Sequence, residues 1–111
     1  MAAEICYKGA MKRDQALAAL RRVEPALREL GVSEAALFGS TARGDGGVAS
    51  DIDIAVKPAA GRPFEPLTLL SIHGVLGDAF GHGTPIDVVV LPARNASLGA
   101  AIERDRVLAF A

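Results

Sequence analysis

The sequence predicts an α/β (α+β) fold in which short strands alternate with helices. Two stretches, 13–30 and 67–80, repeat apolar residues at three- and four-residue spacing, the period of a helix with one buried face. Three short runs, 34–38, 51–56 and 86–91, are continuously apolar or alternate with period two, as strands do. Glycine and proline separate these runs.

Residues 1–11 show no periodicity and read as a flexible arm. The first helix follows from Leu17, Leu20, Val23, Leu27 and Leu30, with Asp14 in its first turn and Gly31 suited to the C′ position. Pro25 lies inside this pattern and must kink the helix or begin a second short one. Glu34 to Phe38 is short and apolar and reads as a buried strand running into Gly39-Ser40. Ser40 to Gly44 is expected to form a tight helical turn, with a loop at Asp45-Gly46-Gly47. Asp51 to Val56 alternates strictly and gives the second strand. Lys57 to Pro66 reads as a loop, Leu67 to Phe80 as an amphipathic helix despite Gly74 and Gly77, and 81–85 as the break that ends it. Ile86 to Leu91 is the third strand, stopped by Pro92, and a last helix is expected from Leu98 to Phe110.

Composition narrows the function. The 111 residues suit a single domain spanning 1–111, and half of them are hydrophobic, which argues against disorder. Twelve Lys and Arg against thirteen Asp and Glu give a net charge of −1, so direct nucleic-acid binding is not expected. Cys6 is the only cysteine, which excludes an intrachain disulfide and a cysteine-based zinc site. Lys8, Lys12 and Arg13 interrupt any signal-peptide core, and no apolar run is long enough to span a membrane. A cytoplasmic location is expected.

The chemistry concentrates between Leu37 and Ile54. Strand alternation puts Asp51 and Asp53 on one face, about 7 Å apart at the backbone, with Ile52, Ile54 and Val56 on the other. Two neighbouring carboxylates repel unless a proton or a cation relieves them. Ile86, Val88 and Val90 alternate with Asp87 in the same way, so adjacent strands would bring Asp87 to Asp51 and Asp53. Three carboxylates suit a pair of hard cations such as Mg²⁺, and two metals can hold the attacking and leaving oxygens of a phosphoryl displacement. A lone Asp-x-Asp is more simply the solvated face of an edge strand. The Gly39-Ser40 pair, separated from Asp51 by ten residues, weighs against that. A glycine directly after a buried strand admits a close backbone approach, the next amides can face phosphate oxygens, and Ser40 adds a hydroxyl. Arg43 can reach the same phosphates or bridge to an aspartate. Gly-Lys-Ser/Thr is absent, so this is no Walker loop, and no EF-hand loop is present.

Gly39-Ser40, Arg43-Gly44, Ser50-Asp51-Ile52-Asp53 and Asp87 within Ile86-Asp87-Val88 resemble the DNA polymerase beta-like nucleotidyltransferase superfamily. The likeness extends from about Arg13 to Phe110 and is strongest to its minimal nucleotidyltransferases, the MNT antitoxins paired with HEPN ribonuclease toxins. It implies a small mixed β-sheet flanked by helices. It implies that Asp51, Asp53 and Asp87 bind Mg²⁺ at a two-metal site, that Asp87 helps activate the acceptor hydroxyl, and that Gly39 and Ser40 hold the triphosphate of ATP. Arg43 transfers as nucleotide-binding or structural. The resemblance also implies a HEPN toxin as partner in a hetero-oligomer, with AMP transferred to a toxin tyrosine. Larger relatives grip base and acceptor with a second domain, for which 111 residues leave no room. Two other expectations stand beside this one: an antitoxin that neutralises by binding alone, and a nucleotidyltransferase acting on a small molecule such as an aminoglycoside.

His73 and His82 have no partner at metal-ligand spacing, and Asp45 and Asp78 read as surface charges. Tyr7, in the expected arm, is the one candidate for self-modification. Glu103, Arg104, Asp105 and Arg106 read as a solvated helical face.

Overall fold

The computed structural model describes residues 13–43, 52–81 and 84–111, with the backbone alone at positions 40 and 41. The expected arm and the side chain of Ser40 lie outside the described residues, as do Cys6, Tyr7, Gly44, Asp45, Asp51 and His82.

Pro25 divides the first helical stretch into α1 (Arg13–Arg22) and α2 (Glu24–Glu29). A proline has no amide hydrogen to give, so it belongs in a first helical turn, and it stands in the first turn of α2. Gly31 closes α2 at φ 98°, where the chain turns into β1 (Val32–Phe38). The turn after β1 is α3 (Gly39–Arg43). Then come β2 (Ile52–Pro58), α4 (Pro66–Phe80) and β3 (Ile86–Val90).

The last stretch departs from expectation. It is not one helix but α5 (Ala96–Asp105) followed by β4 (Val107–Phe110). The Asn95 side chain accepts from the amides of Ser97 (2.8 Å) and Leu98 (3.1 Å), which starts α5 before Leu98. Arg106 turns extended at ψ 142° and ends it. Val107 to Phe110 then pairs antiparallel with the open edge of β1. Two arginines secure this strand: Arg21 Nε donates to the Ala109 carbonyl at 3.0 Å, and Arg28 lies 4.8 Å from the Phe110 ring centroid.

The four strands form one mixed sheet in the order β3-β2-β1-β4. β1 pairs antiparallel with β2 and β4, and β2 pairs parallel with β3. A parallel neighbour needs a crossover, which α4 provides.

Alternation gives the sheet two unlike faces. Leu37, Ile52, Ile54, Val56 and Ala109 join the main core with residues of α1, α2 and α4, and Ile86, Val88 and Val90 pack against it. Phe38, Ala55 and Ile102 form a second, smaller cluster under α5, flanked by Val89, Leu91 and Leu98. Within α4 the buried residues are Ile72, Leu76 and Phe80, four apart. Leu67 and Leu70, apolar residues of the expected amphipathic helix, are 76% and 67% exposed. At 100° per residue they lie about 140° and 160° from the direction of Ile72, on the outer side of the helix.

Candidate functional site

The site is built where β1 turns into α3. Phe38 is the last residue of β1 and pairs across the ladder with Asp53 of β2. Gly39 follows at φ 72°, a backbone region that side chains disfavour. A Cβ at residue 39 would overlap Asp53 Oδ2 and stand 3.2 Å from its Cγ. Gly39 is thus the wall of a cradle, and the Asp53 carboxylate fills it.

Parallel register brings Asp87 of β3 directly beside Asp53. Neighbouring strands lie about 4.8 Å apart, and both aspartates share a parity with Ala55 and Val89 of the second cluster. Both therefore project from the α5 face of the sheet, Asp53 half-buried and Asp87 exposed. The pairing is pinned at its start, where the Ile52 amide donates to the Pro85 carbonyl at 2.9 Å. The adjacency expected of Asp53 and Asp87 is thus present.

Asp51 lies outside the described residues, so of the three expected carboxylates the structure places Asp53 and Asp87. Among the described residues no group of three or more His, Cys, Asp or Glu side chains is placed to hold a metal. The donor set suits a hard cation: two carboxylates on adjacent strands, one of them seated against a glycine.

Arg43, at the end of α3, donates from Nη1 to Asp105 Oδ2 at 2.9 Å. This is a bridge to an aspartate, one of the two uses expected of Arg43. The expected solvated face at 103–106 holds for Glu103 and Arg104, which are exposed, and is corrected at Asp105 and Arg106. The Asp105 side chain is only 8% exposed, and its Oδ1 accepts from Arg104 Nε at 3.3 Å. Arg106 Nη1 donates to Glu34 Oε2 on β1 at 3.0 Å. One signal could have flagged Asp105 beforehand. It is an acidic residue in the last turn of a helix, where the helix dipole disfavours negative charge, so something nearby must compensate it.

A groove of about 570 Å³ opens beside α5, floored by Leu91, Pro92 and Ile102 and edged by Lys57 and Glu103. Neither Asp53 nor Asp87 lines it, so it is separate from the carboxylate pair.

Residues 20–70 match the family model of the nucleotidyltransferase domain. The fold is that of a nucleotidyltransferase domain. The match contains Gly39, Ser40, Asp51 and Asp53 and stops short of Asp87, which the β2–β3 register adds. A solved structure described as a minimal nucleotidyltransferase superimposes with a TM-score of 0.71 at 24% identity, over 87% of this chain and 95% of that one. A chain from a toxin–antitoxin complex with AMP-PNP gives 0.62 at 21% identity, over 90% of this chain and 73% of that one. A chain from a complex of a tri-AMPylated Shewanella oneidensis HEPN toxin with its MNT antitoxin gives 0.60 at 18%, over 86% and 71%. No curated protein sequence matches significantly. No helix among the described residues is long and apolar enough to cross a membrane.

Proposed function

We propose that the chain is a Mg²⁺-dependent nucleotidyltransferase that moves AMP from ATP to a hydroxyl, a tyrosine of a partner HEPN ribonuclease toxin, and so acts as an antitoxin. The observation that carries this reading is the juxtaposition of Asp53 and Asp87 in register on one sheet face, with Gly39 walling the Asp53 carboxylate. The solved complexes with AMP-PNP and with an AMPylated toxin support the choice of nucleotide and partner by their likeness in fold.

The acceptor oxygen attacks the α-phosphorus of ATP, the bond from that phosphorus to the bridging oxygen breaks, and pyrophosphate leaves. Asp51, Asp53 and Asp87 would hold Mg²⁺, which when bound would supply charge neutralisation for the phosphoryl transfer. Gly39 and Ser40 hold the triphosphate. Asp87, the more exposed of the two described carboxylates, faces the acceptor and takes the proton of its hydroxyl. The rigid β2–β3 ladder fixes the spacing of the carboxylates before substrate arrives.

Incubation of the chain with labelled ATP, Mg²⁺ and a partner HEPN protein is expected to label that protein, and Asp53→Ala is expected to abolish the labelling. A wild-type chain as inert as Asp53→Ala would overturn the enzymatic reading. One observation favours a second reading, neutralisation by contact alone. Leu67 and Leu70 are strongly exposed on α4, an apolar pair a bound protein could cover. That reading expects Asp53→Asn to neutralise the toxin as well as wild type does.

A further inference from the structure

We infer that Asp105 is a positioning residue for the Gly39-Ser40 turn, acting through Arg43. The inference rests on the proposed role of that turn in holding the nucleotide. α3 has five residues, too few to be stable as a helix by itself, so neighbours must set its place. Its described side chains offer two anchors. Ala42, 3% exposed, plugs into the main core. Arg43 reaches the other way, to Asp105 at the end of α5. Ala42 is small and apolar and fixes only how deeply α3 sits. A directional ion pair from Arg43 also fixes its rotation, and with it the aim of the amides that follow Gly39.

The location of Asp105 is otherwise hard to account for. A carboxylate at a helix C-terminus opposes the dipole, and one that is 8% exposed has given up most of its water. Arg104 is 69% exposed and would offset the charge equally well with Asp105 in solvent. Only the contact with Arg43 requires the carboxylate to be where it is. Arg106 and Glu34, one residue further on, make a matched internal control. They form an ion pair at 3.0 Å, also partly buried, that ties the same end of α5 to β1 and not to α3.

The test uses the full chain as wild type, Asp105→Asn, Asp105→Glu and Glu34→Gln. ATP affinity with Mg²⁺ is measured by calorimetry, KM and kcat by transfer to the partner, and amide exchange at 40–43 without nucleotide. Asp105→Asn is expected to weaken ATP binding about tenfold, to raise KM for ATP with kcat changed less than threefold, and to speed exchange at 40–43. Glu34→Gln is expected to keep ATP affinity within twofold while its melting temperature falls as much as that of Asp105→Asn. Should Asp105→Asn not fold, Asp105→Glu keeps the charge and shifts it by one methylene, with an expected threefold loss of ATP affinity. Unchanged exchange and affinity in the Asp105 variants would overturn the inference, and so would an equal loss in Glu34→Gln. A wild-type chain that does not bind ATP refutes the nucleotide reading itself, a result visible in the wild-type arm alone.

Discussion

The same strands give the sheet a sealed face and a working face, and the contrast follows from alternation alone. Under α1, α2 and α4 every inward position of β1, β2 and β3 is aliphatic, and Leu37, Ile54 and Val56 are fully buried. One residue to either side of Ile54 the register places Asp53 and Ala55 on the opposite face. There α5 covers a small cluster around Phe38, Ala55 and Ile102 and leaves the carboxylate end open. The sealed face supplies stability through burial and holds the strands in register. The working face exploits that register to keep two like charges side by side. A protein without the first could not maintain the second.

The sharpest way to break this division is on the working face. Asp53→Ala is expected to cut transfer by a thousandfold or more, about 4 kcal/mol of transition-state stabilisation. Its unfolding free energy should not fall by more than about 0.5 kcal/mol, because no apolar packing is lost. Label transfer and chemical denaturation on one preparation check both numbers. The complementary change on the sealed face is Leu76→Ala, at a fully buried position of α4. It should cost about 3 kcal/mol of stability through lost transfer energy and a residual cavity. Measured per folded molecule, its transfer rate should match wild type. A rate loss beyond the unfolded fraction would show that the two faces are not separable.

Gly39→Ala tests the seam where the faces meet. The positive φ and the overlap with Asp53 Oδ2 act together, and the cost should be about 1–3 kcal/mol of stability. Activity should fall as well, since relief of the overlap requires the Asp53 carboxylate to move. Wild-type metal and ATP affinity in a folded Gly39→Ala would refute the cradle.

Much of this was legible in the residues. The period-two pattern of Ile52, Ile54 and Val56 against Asp53, and of Ile86, Val88 and Val90 against Asp87, predicts which side each occupies, and the structure follows it. Pro25 announces the break between α1 and α2 because proline cannot donate within a helix. The tail was not legible. Four residues, Val107 to Phe110, are too few to tell a strand from a helix end by period, and what makes them a strand is the unpaired edge of β1, a tertiary fact. Asp105 was hidden for a similar reason. Its surroundings, Glu103, Arg104 and Arg106, look like a solvated run, and the partner that draws it inward lies 62 residues earlier. The second role of Gly39 was invisible too, since spacing suggests a phosphate approach but not that Asp53 occupies the missing side chain's place.

The smallest expected effect lies on the outer side of α4, which belongs to neither face. Leu67 and Leu70 point away from Ile72, so replacing both with serine removes little buried area. The change in unfolding free energy should stay within about 0.5 kcal/mol for each residue, and could even favour the native state by lowering exposed apolar area. The chemical step of transfer should not respond either, because the site is on the far side of the sheet. What should respond is association. A partner that covers this pair must lose affinity in the double variant, and a pull-down or calorimetric titration against the HEPN protein reads that directly. Unchanged affinity would remove the one observation that favours neutralisation by contact through α4, and leave the working face as the surface where the partner must come.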